Sequence, residues 1–165
     1  MREKIKVHFS SKSNEWATPL SLFNRINSIW GPFDLDPCCT VATAKCRLYY
    51  TKEDDGLSMP WGVKRVFVNP PYGREIGKWV KKAYNEYAKR GTEVVLLIPA
   101  RTDNKWWHQY CMVAKYIVFI KGRVKFEQMD APEGTPPMSA PFPSCLVIFQ
   151  DNGKVSPMIS AMDVC

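Results

Sequence analysis

The sequence predicts an open α/β sheet, and three observations lead to it. Glu93 to Ile98 is a segment of strand length that is continuously apolar after Glu93, the kind buried on both faces of a parallel sheet. Ile76, Trp79, Val80, Ala83, Tyr84, Tyr87 and Ala88 recur at helical spacing with lysines, Asn85 and Glu86 between them, the pattern of an amphipathic helix. Along the chain such segments alternate as strand, helix, strand, helix, strand, which is the order of a layered α/β domain.

Taken in chain order, Thr18-Pro19 followed by Leu20, Phe23, Ile26 and Trp30 predicts a helix capped by Thr18, with proline at its first position and Gly31-Pro32 as its stop. Phe33-Asp34-Leu35-Asp36-Pro37 predicts a short strand that proline ends with a carboxylate at the tip. Arg65 to Asn69 predicts a strand cut off by Pro70-Pro71, which cannot donate to a sheet ladder. Gly91 closes the amphipathic helix, and Pro99 ends the apolar strand. A helix around Asn104 to Val113 follows, then strands near Tyr116 to Ile120 and Ser144 to Gln150. Lys121-Gly122-Arg123 turns from the first of these into a short Val124-Lys125-Phe126 segment. Thr51 to Gly62 and the proline-rich stretch from Gln128 to Pro143 are expected to be irregular loops. Asp151-Asn152-Gly153 reads as a turn, and the tail over 151–165 receives no element.

A chain of 165 residues, 45% apolar and 24% charged, is long enough to close one core, so 1–165 is read as a single domain with residues 1–13 flexible. The charged N-terminal residues contain no apolar stretch of signal length, and the longest apolar run, Val94 to Ile98, is far too short to cross a bilayer; a cytoplasmic, monomeric protein is expected. Twenty-three Lys and Arg against sixteen Asp and Glu give a formal charge of +7, which favours a polyanionic partner through phosphate contacts. Several of the six cysteines sit in apolar sequence, as buried reduced thiols do. With no CxxC pair and only His8 and His108 as histidines, no metal site is expected.

Asn69-Pro70-Pro71-Tyr72, placed directly after an apolar strand, is the most informative tetrapeptide. An exocyclic aromatic amine is a poor nucleophile because its lone pair is delocalised into the ring. Two acceptors that take hydrogen bonds from its protons push electron density back toward nitrogen. The Asn69 side-chain oxygen and the Pro70 carbonyl can supply that pair, since proline keeps its carbonyl while losing its donor. Tyr72 offers an aromatic face on which a base extruded from a duplex can stack. The same string would also serve as a proline-terminated strand carrying a packed tyrosine.

Around that tetrapeptide lie Trp16-Ala-Thr18-Pro19, Phe33-Asp-Leu-Asp36-Pro37-Cys38, Tyr50-Thr-Lys-Glu-Asp54-Asp55-Gly56-Leu57, Trp61, Ile98-Pro99-Ala100-Arg101-Thr-Asp103 and Gly122-Arg123-Val-Lys-Phe126. In this order they resemble the phage-type DNA N6-adenine methyltransferase (Dam) family, over about residues 14 to 150. The resemblance implies a Rossmann-like methyltransferase sheet, S-adenosyl-L-methionine as cofactor, double-stranded DNA as partner, and the tetrapeptide in the catalytic pocket. It puts Asn69, Pro70 and Tyr72 at the target base. It puts Trp16, Thr18, Pro19, Asp36 and Pro37 on the cofactor side, with Asp54 or Asp55 at the cofactor adenine. Carboxylates suit a cofactor that presents an ammonium group and ribose hydroxyls.

One departure is plain. Asp36-Pro-Cys-Cys-Thr-Val holds no glycine where many methyltransferases carry a glycine-rich turn. The stretch from Asp36 to Arg65 is also too short for two further strand-helix units, so a sheet of reduced size is expected. Pro71, Arg101, Lys105, Arg123 and Lys125 are candidates for DNA contacts, whereas Trp106 and Trp107 read as helix core. Two other functions fit part of the sequence: methylation of a protein glutamine amide, which is also planar and delocalised, and an inactive DNA-binding module of the same fold. The lack of any GxGxxG argues against a nucleotide-binding oxidoreductase.

Overall fold

The structure, a computed structural model, describes residues 16–127, 132, 134–151 and 156–164. Residues 1–13, expected to be flexible, lie outside the described residues, as do 128–131 and 133 of the proline-rich stretch and most of the turn at 151–153.

The α/β sheet is present. Among the described residues it runs β2-β1-β3-β4-β8-β5-β9, built from β1 (Leu35–Asp36), β2 (Leu48–Tyr49), β3 (Arg65–Val68), β4 (Glu93–Pro99), β5 (Tyr116–Lys121), β8 (Ser144–Phe149) and β9 (Met158–Asp163). β2, β1, β3 and β4 are parallel neighbours, β8 lies antiparallel between β4 and β5, and β9 pairs parallel to β5. β6 (Lys125–Phe126) and β7 (Met138–Ser139) form a separate two-stranded hairpin. The fold is a Rossmann-like sheet, reduced in helices more than in strands: the segment between β1 and β3 contributes β2 and turns, and no helix.

Burial explains the apolar run in β4. Flanked by β3 and β8, Val94 to Ile98 is buried throughout, and so is all of β8. Arg65 and Glu93 start β3 and β4 as register partners and close a 2.7 Å ion pair across the two strands. β1 is short because Pro37 has no N–H to continue a ladder.

α1 (Leu20–Trp30) sets Phe23 edge-on against Phe67 of β3, with ring centroids 5.1 Å apart. α2 (Ile76–Arg90) brings Tyr84 and Tyr87 against Phe149 of β8 and ends at Gly91, whose φ of 71° is the left-handed cap expected there. α3 (Lys105–Tyr110) is shorter than its sequence pattern and passes into a 3-10 turn at Cys111–Val113. Trp107 is core, as expected, and Trp106 packs over Gly77 of α2.

Three sequence expectations are corrected. Thr18 does not cap α1: Pro19 takes the cap position, with no side-chain cap, and the Thr18 hydroxyl is engaged elsewhere. The 128–143 stretch is not wholly irregular, since β7 lies in it and pairs with β6. The unassigned tail contains β9, held in register from Tyr116↔Met158 to Lys121↔Asp163.

Candidate active site

Chain order reverses between β1 and β3. From β1 the chain goes outward to β2, and from β3 it goes the other way to β4. Such a reversal opens a crevice beyond the carboxyl ends of the strands. A cavity of about 380 Å³ lies there, walled by residues 16–18, the turn after β1, Thr51 to Gly56 in part, Asn69 to Pro71, and Trp79 from α2. Its size suits a small organic ligand.

Asp36 ends β1 with its carboxylate at the cavity wall, only 3% exposed. The Lys45 backbone N–H donates to Oδ2 at 3.1 Å and the Cys38 N–H to Oδ1 at 3.5 Å. Burial outweighs these bonds and pushes the carboxyl up to about 6. A buried carboxylate with so little compensation gains from any cation that enters the cavity.

Asn69 follows β3, and its amide is held on every side. Nδ2 donates to the Trp16 carbonyl at 2.6 Å and to Thr18 Oγ1 at 2.9 Å. The Tyr72 hydroxyl donates to Oδ1 at 2.5 Å and lies 3.2 Å from the Leu97 carbonyl. Burial raises the Tyr72 hydroxyl well above its ordinary pKa, so it keeps its proton and remains a donor. The Cys38 thiol, also raised well above its usual value by burial, donates to the Asn69 carbonyl at 3.3 Å and ties the tip of β1 to that of β3.

The turn after β1 is met closely by the loop that carries Gly56. A Cβ on Gly56 would sit 1.9 Å from the Pro37 carbonyl oxygen, so backbone approaches backbone there by virtue of a glycine in another loop. Gly56 is further fixed by Trp61, whose indole N–H donates to the Gly56 carbonyl at 2.9 Å.

Of the residues singled out from sequence, Trp16, Thr18, Asp36, Pro37, Asp55, Asn69, Pro70 and Pro71 line this one cavity. Asp54 does not; its carboxylate accepts from the Thr51 N–H and hydroxyl and closes a surface turn. Asp55, at a φ of 55°, is the one that reaches the wall. Pro19 lies behind, at the start of α1. Tyr72 is 5% exposed, its ring packed edgewise with Phe126 and Phe142, and is not part of the lining. Arg101 is half-buried and its Nη2 donates to the Tyr72 carbonyl at 3.1 Å, clasping the tetrapeptide from behind. Lys105, Arg123 and Lys125 are exposed outside the cavity. Sequence reasoning gave no role to Gly56, Cys38, Lys45 or Trp79; Gly56 and Cys38 stood inside the resembling motifs, while Lys45 and Trp79 carried no signal of a site.

No helix among the described residues is long and apolar enough to cross a membrane. A family model described as DNA N-6-adenine-methyltransferase (Dam) matches residues 7–163. A DNA N-6-adenine-methyltransferase of Haemophilus phage HP1 (strain HP1c1) is 28% identical over 142 residues, 85% of this chain and 80% of that protein. A DNA N-6-adenine-methyltransferase of Escherichia phage T1 is 29% identical over 119 residues, 72% of this chain, which thereby spans 49% of that relative's length. The match over most of the chain, together with a strand-tip cavity that gathers the residues of the resembling motifs, places this chain in the DNA N-6-adenine-methyltransferase (Dam) family.

Proposed function

We propose that the chain transfers a methyl group from S-adenosyl-L-methionine to the N6 amine of adenine in double-stranded DNA. The observation that carries this reading is the Asn69 amide, fixed by three hydrogen bonds at the wall of a cavity whose opposite resource is the buried carboxylate of Asp36.

The residues present fit the cofactor. Asp36, buried and raised to about 6, suits an ammonium group, and Asp55 suits hydroxyls or an amine. When bound, S-adenosyl-L-methionine would supply a sulfonium methyl, which passes to the amine lone pair as the new C–N bond forms while the C–S bonding pair stays on sulfur, leaving a neutral thioether. The chain has to present an amine whose lone pair points at that carbon. Asn69 Oδ1 has a second lone pair beyond the one that faces Tyr72, and it accepts from one N–H of the target amine; the Pro70 carbonyl accepts from the other. Both bonds strengthen as positive charge develops on nitrogen, and the surplus proton then leaves to water.

With its ring 5% exposed, Tyr72 acts first through its hydroxyl; stacking of an extruded base on it requires the ring to be uncovered as DNA docks. The cations Lys105, Arg123 and Lys125, all exposed, are free to meet phosphates.

Transfer of labelled methyl from S-adenosyl-L-methionine to unmethylated duplex DNA, with nucleoside analysis of the product, tests the reading. N6-methyladenine is expected with the wild type and is reduced at least about a hundredfold in Asn69→Ala. Methyl on a glutamine peptide instead of DNA makes the chain a protein methyltransferase, and tight DNA binding with no transfer makes it a binding module.

A further inference from the structure

Thr18 belongs, by resemblance, to the cofactor side of the site, yet its hydroxyl is spent on Asn69. A primary amide has two N–H donors and one carbonyl acceptor. In Asn69 both donors are taken up by a single three-residue segment, one by the Trp16 carbonyl at 2.6 Å and one by Thr18 Oγ1 at 2.9 Å. A backbone carbonyl can only accept, so the Trp16 contact settles which end of the amide faces the segment. Turning the amide over would press Oδ1 against the Trp16 carbonyl oxygen, lone pair to lone pair, and would leave Nδ2 facing the Tyr72 hydroxyl. Thr18 is 2% exposed, so its hydroxyl is turned to Asn69 and away from solvent.

We infer that Thr18, together with the Trp16 carbonyl, is the positioning element that fixes the orientation of the Asn69 amide and so presents Oδ1, rather than Nδ2, to the target amine. The inference deepens the methyl-transfer reading and rests on it. Thr18 acts through Asn69 and touches no reacting atom. The segment that does this is itself anchored, because Ala17 exchanges two backbone hydrogen bonds with Glu127, at 3.1 and 3.3 Å, next to the β6–β7 hairpin. One short piece of chain therefore forms a wall of the cavity, joins the hairpin and orients the amide that does the chemistry.

Thr18→Val keeps the shape and removes the acceptor; Thr18→Ser keeps the acceptor. With duplex DNA and S-adenosyl-L-methionine both saturating, Thr18→Val should lower kcat by about tenfold or more while cofactor Kd stays within about twofold, and Thr18→Ser should restore most of kcat. A cofactor Kd that weakens in step with kcat makes Thr18 a cofactor contact and overturns the inference, as does a Thr18→Val enzyme of wild-type kcat. A second measurement needs no variant: in the wild type, side-chain amide protons of Asn69 should exchange slowly with solvent, and rapid exchange overturns the latch even if Thr18→Val fails to fold. A wild type that transfers no methyl to DNA while those protons are protected sinks the activity reading and leaves Thr18 as a structural support only.

Discussion

The Arg101 guanidinium donates to the Tyr72 carbonyl at 3.1 Å, so a residue just past β4 holds the loop that follows β3. The cation lies behind the tetrapeptide, where sequence alone suggested a DNA contact.

The two roles separate by salt. A phosphate contact adds close to one unit to the dependence of log affinity on log salt, and its loss lowers that slope. Arg101→Met should leave the slope for duplex DNA unchanged, lower kcat about tenfold and cost about 2 kcal/mol of stability through the lost charged hydrogen bond. Salt titration of DNA binding, beside denaturant unfolding, checks both halves; a slope reduced by a full unit with stability intact returns Arg101 to the DNA.

Gly56→Ala should damage the cofactor side without touching the catalytic loop. The added methyl meets Pro37 backbone at 1.9 Å, which no rotamer relieves, so the post-β1 turn has to move. A loss of about 1 to 3 kcal/mol in stability and a cofactor Kd weakened about tenfold are expected. Calorimetric titration of the cofactor settles it, and an unchanged Kd in a folded variant shows that the close approach does not shape the cavity.

Tyr72→Phe removes the hydroxyl and keeps the ring, and Tyr72→Ala removes both. If the hydroxyl matters through Asn69 Oδ1, the phenylalanine variant already lowers kcat, by about tenfold, with little change in DNA affinity, and the alanine variant lowers it at least as far. Base capture, read by the fluorescence of 2-aminopurine at the target position, should then fall only in the alanine variant. Equal loss of base capture in both variants contradicts this division of labour.

Asp36 gives a pH dependence of two opposite signs. Its carboxyl is raised by burial from an ordinary 3.8 to about 6, so folding favours the protonated form. Its contribution to the stability of the ligand-free protein is present below the ordinary value and is lost as pH rises through about 6. Affinity for a cationic ligand has the opposite trend, rising over the same window as the carboxylate forms. Tm and cofactor Kd measured from pH 4 to 8 check the pair, and Asp36→Asn should flatten both curves and weaken the cofactor throughout. A wild-type Kd that is level between pH 5 and 7 removes Asp36 from the cofactor.

What the sequence disclosed follows from what each element depends on. β4, α2 and β8 were legible because an unbroken apolar run or a long helical period is a local statement of burial. β2 and β7 have two residues each, too few to show any period, and β9 is mostly exposed, so its strand character comes only from pairing with β5. Thr18 was misread as a cap because Thr-Pro before an apolar helix is the local signal for one, and its actual partner lies 51 residues away. Asp54 and Asp55 are alike in sequence; the turn that Thr51 closes on Asp54 turns one carboxylate outward and leaves its neighbour at the cavity. The close approach of Gly56 to the Pro37 backbone gave no local signal, because the two residues lie in separate loops.

The antiparallel insertion of β8 between β4 and β5 bears on how the protein is made. Val94 waits for Phe149 and Pro99 for Ser144, so the centre of the sheet closes only after β8 has emerged from the ribosome. Contacts so distant in sequence slow folding, and until they form one flank of the apolar Val94–Ile98 run of β4 stays bare, an open template for another chain. Yield should therefore be limited by aggregation during synthesis, rise on slower, cooler expression, and be most sensitive to substitutions in β8, a strand that lines no part of the cavity.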